Sequence, residues 1–267
     1  MNLQKILLVG CGNMAGAMLR GWLAGGIAAD SFTVVDPRAT GLPAGVRHLA
    51  ELPTDEHFDA MMLGIKPQGL DDAAPALSPL AGPETIVLSL LAGVELASLR
   101  RRFADAAGLV RIMPNLAVAL GKSPVALAAE GLGDDGRDAV FKLMQPLGTP
   151  EWFGEDDFDL VTALAGSGPA FVYRYIDALA AAARELGMAP DKAARLAVAM
   201  AEGASALAAA SPDDPGVLAD RVASPGGVTR AGLDVLDEGG AINSLALDCL
   251  RAAKERSAEM AAEARGA

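Results

Sequence analysis

The chain has 267 residues, 52% of them hydrophobic and 4% aromatic, which permits one large domain or two ordinary ones with an aliphatic core. Its 22 Lys and Arg against 34 Asp and Glu give a formal net charge of −12. A phosphate backbone would repel such a chain, so we do not expect it to bind nucleic acid. Two cysteines, no signal peptide and no continuous apolar run of ~20 residues predict a reduced cytoplasmic protein outside the membrane.

The first half of the chain alternates apolar runs with amphipathic segments. Strands are expected in KILLVG, SFTVVD, FDAMMLGIKP, ETIVLSLLAG, GLVRIMPN and SPVALAAEG. Helices are expected in NMAGAMLRGWLAGG, over about 95–103 and in DDGRDAVFKLMQPLG. Strands that alternate with helices of this length predict right-handed crossovers and a mostly parallel sheet. We therefore predict an α/β Rossmann-type domain over residues 1–153.

The pattern changes from about Asp156, where strand signals stop. Six segments, several of them alanine-rich, read as helices and are separated by Gly and Pro: DDFDLVTALAG, PAFVYRYIDALAAAARELG, PDKAARLAVAMAEGASALAAA, DPGVLADRVA, TRAGLDVLDEGG and AINSLALDCLRAAKERSAEMAAEAR. This composition predicts an all-helical domain over residues 154–267, with residues 151–157 as the hinge.

A glycine-rich turn follows the first predicted strand. Gly10, Gly12 and Ala15 in VGCGNMAGA form a G-x-G-x-x-A pattern between a strand and a helix. Gly10 allows the tight turn, Gly12 lets the backbone approach a pyrophosphate, and Ala15 lets the helix pack closely on the strand. The pattern also occurs in turns that bind nothing, but its place in an alternating fold favours dinucleotide binding.

Two residues at the end of the second strand bear on the choice of dinucleotide. Asp36 in VVDPR suits the ribose hydroxyls of NAD, whereas Arg38 suits the additional phosphate of NADP. Either residue also suits ordinary loop surface. The two residues favour different cofactors, so the sequence leaves NADH and NADPH as alternatives.

Polar or flexible residues follow three later strands. Lys66 and Pro67 end one strand, LLAG at 90–93 ends the next, and MPN at 113–115 ends a third. Ligands bind outside the carboxyl ends of strands in open parallel sheets, so we expect these ends to meet in one crevice. The alternative for Lys66 is a solvated loop lysine.

The segment SPGGVT, residues 224–229, interrupts the helical half of the chain. Glycines just before a helix leave backbone amides unpaired, and such a nest binds anions such as carboxylates. Ser224 and Thr229 add hydroxyl groups that donate and accept hydrogen bonds. The alternative is that one of these hydroxyls merely caps the following helix.

A second glycine–serine break, GSGPAF at 166–171, is explained by a helix cap at Ser167 and a proline in the first helical turn. The two histidines, His48 and His57, form no catalytic pair, and no metal-ligand spacing is present. A reaction without an obvious acid–base dyad fits hydride transfer, because the cofactor then carries the reactive group.

Together these motifs resemble the pyrroline-5-carboxylate reductase family. GCGNMAGA, IKP, AGV, MPN, GSGPAF and SPGGVT occur in the family's order and spacing, and the resemblance covers essentially the whole chain. It implies an N-terminal Rossmann domain and an all-α C-terminal domain that dimerises. It also implies an active site at the dimer interface and further assembly of dimers into a ring, which we expect to be a decamer.

The resemblance further implies the roles of individual residues. Besides Gly10, Gly12, Asp36 and Arg38, the expected cofactor-binding residues are Asn13 and Met14 over the pyrophosphate, and Ile65, Lys66, Pro67, Ala92 and Asn115 at the strand ends. The substrate carboxylate is expected at the amides of Gly227, Val228 and Thr229, helped by Ser224. The Thr229 hydroxyl is expected to face the ring nitrogen and to be the catalytic group.

The implied reaction is hydride transfer from NADPH or NADH to the cyclic imine pyrroline-5-carboxylate, giving L-proline. Many family members have Thr-Thr where this chain has Val228-Thr229, a departure that keeps the backbone amide. One alternative is a β-hydroxyacid dehydrogenase, which needs a lysine early in its second domain; here the first is Lys192. The other is a non-catalytic dinucleotide-binding regulator, which would have no use for a carboxylate nest.

Overall fold

The computed structural model describes residues 3–266. It divides into two compact units, Met1–Ser167 with Ala253–Ala267 and Gly168–Ala252. The change from strand to helix falls within residues 151–157, as expected, whereas the compact units divide the chain after Ser167. The limits of 1–153 and 154–267 stay a prediction about domains.

One eight-stranded sheet forms the centre of the first unit, in the order β3-β2-β1-β4-β5-β6-β7-β8. All neighbouring strands are parallel except β6 and β7. The strands are β1 Ile6–Val9, β2 Phe32–Val35, β3 Arg47–Leu49, β4 Ala60–Leu63, β5 Ile86–Ser89, β6 Gly108–Met113, β7 Ser123–Glu130 and β8 Gly148–Trp152. The first six follow the Rossmann order 3-2-1-4-5-6, which confirms the predicted fold class.

Helices cover both faces of this sheet, and its inner strands are accordingly mostly apolar, with buried polar exceptions such as Thr33 in β2 and Arg111 in β6. They are α1 Asn13–Ala24, α2 Leu70–Leu77, α3 Leu96–Arg102, α4 Asp134–Met144 and the short α5 Phe158–Val161. Trp22 stacks on Phe32 with ring centroids 5.3 Å apart, and its indole nitrogen donates to the Leu143 carbonyl at 2.7 Å. The sequence did not predict β3 or β8, because neither has a buried apolar run.

The second unit is helical, as predicted. Its helices are α6 Gly168–Glu185, α7 Pro190–Ala210, α8 Pro215–Arg221, α9 Val228–Asp237 and the first part of α10 Ala241–Gly266. Helices α7 and α8 each begin with a proline at the first position, where the missing N–H leaves no helical hydrogen bond unmade.

Helix α10 belongs to the first unit from Ala253 onward, and its residues 257–261 contact α5 and the loop after β5. The Ser257 hydroxyl donates to Asp159 at 2.7 Å, and Ala261 is buried. Gly93, in the loop after β5, has φ +74°, and a β-carbon there would lie 3.1 Å from the Met260 carbonyl. Only glycine therefore allows this loop and this helix to approach so closely.

The expected break at GSGPAF is not a loop. Residues Thr162–Ser167 form a π-helical segment that continues from α5 and leads directly into α6. Ser167 makes no capping bond to any described residue, so its predicted role as a helix cap is wrong. Short π-helical segments inside α-helices occur often at functional sites, so residues 162–167 are candidates for a functional role.

Helix α7 is long and apolar enough to cross a membrane when judged by length and composition alone. Asp191, Lys192, Arg195 and Glu202 interrupt its sequence. Several of its apolar side chains are exposed in the single chain, including Leu196, Val198 and Leu207. Exposed apolar residues of this kind fit either a membrane or a contact with another protein. The expected absence of a membrane helix therefore stays a prediction.

Candidate functional site

The glycine turn after β1 requires glycine at its first position. Gly10 has φ +85°, and its amide donates to the Val35 carbonyl at 2.9 Å. A β-carbon at Gly10 would lie 2.9 Å from the Gly64 carbonyl oxygen, at the end of β4. This close approach occurs between β1 and β4, where the strand order reverses and dinucleotides bind in folds of this type.

The second glycine of the turn has a different reason to be small. Gly12 precedes α1 with no side-chain cap, and a β-carbon there would meet nothing within 4 Å. Within the described part of the chain, the amides of Asn13, Met14 and Ala15 donate to no acceptor. Unpaired amides at a helix start together with open space fit a phosphate group. Asn13 is exposed there, whereas Met14 is partly buried against the core.

A cleft of about 190 Å³ lies beside this turn. It is lined on one side by Gly12, Asn13 and Arg20, and on the other by the loop 39–43 that follows β2. Asp36 and Arg38 precede that loop directly, so both predicted selectivity residues border this region of the first unit.

The Asp36 carboxylate ties the glycine turn to the end of β2. Its Oδ2 accepts from the Cys11 amide at 2.9 Å, and its Oδ1 accepts from the Arg38 amide at 2.8 Å. Partial burial would raise the pKa of Asp36, but these two hydrogen bonds, with the charges of Arg38 and His48, lower it below its ordinary value. The side chain is therefore a fixed carboxylate at neutral pH.

The remaining strand ends meet at the same edge of the sheet. Val9, Leu63 and Ser89 are paired in register across β1, β4 and β5, so the residues that follow them lie side by side. Ile65 and Ala92 are half-buried at this edge, Lys66 is exposed, and Pro67 begins a 3₁₀ turn. The structure thus brings these predicted cofactor residues together, and their contacts with a cofactor stay a prediction.

Asn115 follows β6 at the same edge but is engaged by the protein itself. Its Oδ1 accepts from the Ala117 amide at 2.9 Å, and its Nδ2 donates to the Ala165 carbonyl at 3.0 Å. The side chain is buried, with 7% of the residue's surface exposed. Its place among the cofactor ligands stays a prediction, while a role in holding the π-helical segment is visible directly.

The SPGGVT segment forms a tight turn that leads into α9. Gly226 has φ +71°, and the Gly227 amide donates to the Ser224 carbonyl at 2.9 Å. Proline followed by a positive-φ glycine at the two central positions is the arrangement of a type II turn. Gly227 is then the N-cap residue of α9, and it supplies no side-chain cap.

This turn leaves three amides at the start of α9 without a helical acceptor. Those of Val228, Thr229 and Arg230 donate to no described residue, whereas the Gly227 amide is already engaged within the turn. The set of free amides is therefore displaced by one residue from the predicted set of 227–229, and direct carboxylate binding by Gly227 stays a prediction.

Neither hydroxyl of the segment serves as a cap. Ser224 and Thr229 are exposed, and within the described residues their side chains have no hydrogen-bond partner. The alternative that these residues merely cap the helix is thus wrong. Arg230, which the sequence analysis missed, pairs with Asp220 at 2.6 Å, and that hydrogen bond raises the pKa of the guanidinium.

Comparison with curated proteins decides the family. The chain is 32% identical over 271 aligned residues to a pyrroline-5-carboxylate reductase of Pseudomonas aeruginosa, covering 98% of each chain. It is 30% identical to pyrroline-5-carboxylate reductase 2 of Bacillus subtilis, covering 99% of this chain and 98% of the relative. The chain belongs to the pyrroline-5-carboxylate reductase family.

A solved structure agrees with this assignment across the whole chain. A pyrroline-5-carboxylate reductase from Coxiella burnetii superimposes with a TM-score of 0.88 at 27% identity, covering 97% of this chain and 99% of that one. The pyrroline-5-carboxylate reductase dimerisation family matches residues 155–260. The predicted family and the predicted helical dimerisation domain are therefore confirmed. Residues 155–260 of this chain match a family whose segment serves self-association.

No three His, Cys, Asp or Glu side chains of residues 3–266 gather into a group that could hold a metal ion. The features that sequence reasoning missed are mostly backbone groups: the Cys11 amide, the Ala165 carbonyl and the Arg230 amide. Backbone groups carry no residue-type signal, although the glycines and prolines next to them do.

Proposed function

We propose that this family member reduces pyrroline-5-carboxylate to L-proline with NADPH or NADH, the last step of proline biosynthesis. The observation that carries the proposal is the start of α9: among residues 3–266, the amides of Val228, Thr229 and Arg230 and the hydroxyls of Ser224 and Thr229 have no hydrogen-bond partner. A regulator that only binds a dinucleotide would have no use for such an anion-binding turn.

The first unit fits a nicotinamide dinucleotide. The space beside Gly12 is the kind of opening through which a pyrophosphate approaches backbone, and a β-carbon would fill it. Asn13 and Met14 would lie over the pyrophosphate, with Asp36 and Arg38 toward the ribose. Ile65, Lys66, Pro67 and Ala92 would border the nicotinamide, which when bound supplies the hydride.

Residues of the second unit would hold the imine. The amides of Val228 and Thr229, with the Ser224 hydroxyl, would bind the carboxylate through charge-assisted hydrogen bonds. The Thr229 hydroxyl would orient the ring nitrogen; a threonine is too weak an acid to protonate it. The imine is more electrophilic at carbon when its nitrogen carries a proton from solvent, and correct positioning then accounts for most of the rate.

Self-association is part of the proposal. The exposed apolar residues of α7, including Leu196, Val198 and Leu207, lie within the matched dimerisation segment, so we propose that a second copy of the chain covers them. We further propose a cytoplasmic enzyme whose dimers assemble into a decameric ring, and that binds neither nucleic acid nor membrane.

A β-hydroxyacid dehydrogenase is the rival of the same general architecture. The lysine that class needs early in its second domain is absent from residues 156–190, and Lys192 is the first to follow. The rival also predicts reduction of a keto acid, or oxidation of a hydroxy acid, rather than reduction of an imine.

Steady-state kinetics of three proteins test the proposal. With pyrroline-5-carboxylate and a reduced nicotinamide, we expect Thr229→Ala to lower kcat by about tenfold or more, whereas Thr229→Ser retains most of it. Thr149→Ala, at an exposed position of β8, should match the wild type. Unchanged kcat in Thr229→Ala would remove the proposed role, and activity with hydroxy acids alone would favour the rival.

A further inference from the structure

We propose that Asp36 makes this enzyme select NADH over NADPH. The sequence leaves the two cofactors as alternatives, because Asp36 and Arg38 favour different ones. The contacts of Asp36 in the structure decide between them. The inference rests on the proposed function, since it places the adenosine ribose of a dinucleotide beside the end of β2.

The Asp36 carboxylate is held by two backbone hydrogen bonds. Each of its oxygens accepts one backbone amide, from Cys11 in the glycine turn and from Arg38 in the loop after β2. Rotation of the side chain away from the site would leave both amides without this acceptor, which is unfavourable in a half-buried position. The carboxylate is therefore a permanent part of the site.

The Asp36 carboxylate can still accept hydrogen bonds from a ligand. Its two oxygens have about four lone-pair positions, and the two amides use only part of them. The remaining positions can accept from ribose hydroxyls, which are donors in NADH. NADPH carries a phosphate on the 2′ oxygen, so this position has no hydroxyl to donate and brings negative charge toward a negative group.

Nearby cations do not reverse this preference. The Arg38 guanidinium is the group that would favour the phosphate, but it is exposed and forms no salt bridge within the described residues. Arg20 lines the cleft from the α1 side, and the His48 ring nitrogen lies 2.9 Å from the Asp36 carbonyl. An exposed arginine is screened by water and salt, whereas the carboxylate is fixed by two hydrogen bonds. Asp36 remains ionised at neutral pH, because its pKa is lowered despite partial burial.

Equilibrium binding of each cofactor to the purified full-length chain tests the inference without turnover. Dissociation constants for NADH and NADPH come from titration calorimetry at fixed salt, for the wild type, Asp36→Asn and Arg38→Ala. We expect the wild type to bind NADH at least about tenfold tighter than NADPH. Asp36→Asn should reduce that ratio by about tenfold, because the charge is lost while one acceptor remains. Arg38→Ala should weaken NADPH more than NADH.

Asp105→Asn is the matched control, because it removes one carboxylate from an exposed position just before β6. That position lies where the strand begins, at the other end from the cofactor residues, which follow the strands. Asp105→Asn should leave the ratio of the two constants unchanged. A variant that merely loosens the glycine turn would weaken both cofactors equally and keep the ratio. A wild type that binds NADPH as tightly as NADH, or an unchanged ratio in Asp36→Asn, would overturn the inference alone. If the wild type binds neither cofactor, the inference and the proposed function both fail.

Discussion

The carboxamide of Asn115 donates to the main-chain carbonyl of Ala165 at 3.0 Å. In an α-helix that carbonyl would accept from the amide of residue 169, but residue 169 is proline and has no N–H. The side chain of Asn115 thus replaces a backbone donor. Pro169 of GSGP removes the α-helical donor for this carbonyl, and Asn115 of MPN supplies a side-chain donor to it.

A double-mutant cycle measures this replacement. Asn115→Ala should lower the free energy of unfolding by about 1–3 kcal/mol, because the part-buried Ala165 carbonyl loses its donor and the Ala117 amide loses its acceptor. Pro169→Ala restores an N–H, so the same Asn115→Ala change should then cost about 1 kcal/mol less. Denaturant unfolding at one protein concentration gives all four values. Equal costs in the two backgrounds would show that the proline and the asparagine are independent.

The approach of α10 to the loop after β5 predicts unequal costs for two glycine substitutions. Gly93→Ala places a side chain at φ +74° and 3.1 Å from the Met260 backbone, whereas Gly26→Ala places one at φ +92° with nothing within 4 Å. Both pay about 1–3 kcal/mol of backbone strain, and Gly93→Ala should lose at least about 1 kcal/mol more. Thermal unfolding compares them, and similar losses would mean that α10 does not pack against this loop.

Alanine substitutions at the two glycines of the nucleotide turn should affect different properties, stability at Gly10 and cofactor binding at Gly12. Gly10→Ala should unfold the turn, because its β-carbon would lie 2.9 Å from the Gly64 carbonyl. Gly12→Ala has open space, so it should keep a melting temperature close to that of the wild type yet bind NADH about tenfold or more weakly. Calorimetric titration beside a melting curve separates the two effects. Unimpaired binding in Gly12→Ala would place the pyrophosphate elsewhere.

The thiol of Cys11 should be a poor nucleophile. Burial raises the pKa of Cys11, the Asp36 carboxylate raises it further, and Arg20 lowers it only in part. A raised pKa leaves less thiolate at neutral pH, so iodoacetamide should modify Cys11 slowly, and Asp36→Asn should accelerate the reaction. Peptide mass spectrometry follows the rate, with Cys249 in the same sample as the internal reference. A slower reaction in Asp36→Asn would contradict this electrostatic account.

The spacing of apolar residues and the positions of glycine and proline were enough to predict much of the fold. The buried strands β1, β2, β4 and β5 are mostly apolar runs that end in glycine or polar residues, and they occur where expected. Strand β3 has only three residues, two of them exposed, so it carries no apolar signal and forms because β2 offers an unpaired edge. The π-helical segment has no local sequence signal that we recognised, and its hydrogen bond with Asn115 joins residues 50 positions apart.

In the candidate site, too, residue types indicated the glycine turns but not the backbone hydrogen bonds within them. Glycine at positions 10 and 226 is informative because its positive φ disfavours other residues, whereas glycine at position 12 is informative because it leaves open space at the start of α1. The engagement of the Gly227 amide within its own turn is not visible in the sequence, since SPGG is compatible with several turns. That single hydrogen bond moves the free amides to Val228, Thr229 and Arg230.

We propose above that the start of α9 recognises the carboxylate of a cyclic imine during its reduction. The most direct measurement is kcat/KM of the wild type for pyrroline-5-carboxylate and for 1-pyrroline, the same ring without a carboxylate, followed by consumption of NADH. We predict a value at least about a hundredfold lower for 1-pyrroline, because two charge-assisted hydrogen bonds are lost. Equal values for the two imines, or no consumption of NADH with pyrroline-5-carboxylate, would contradict the account.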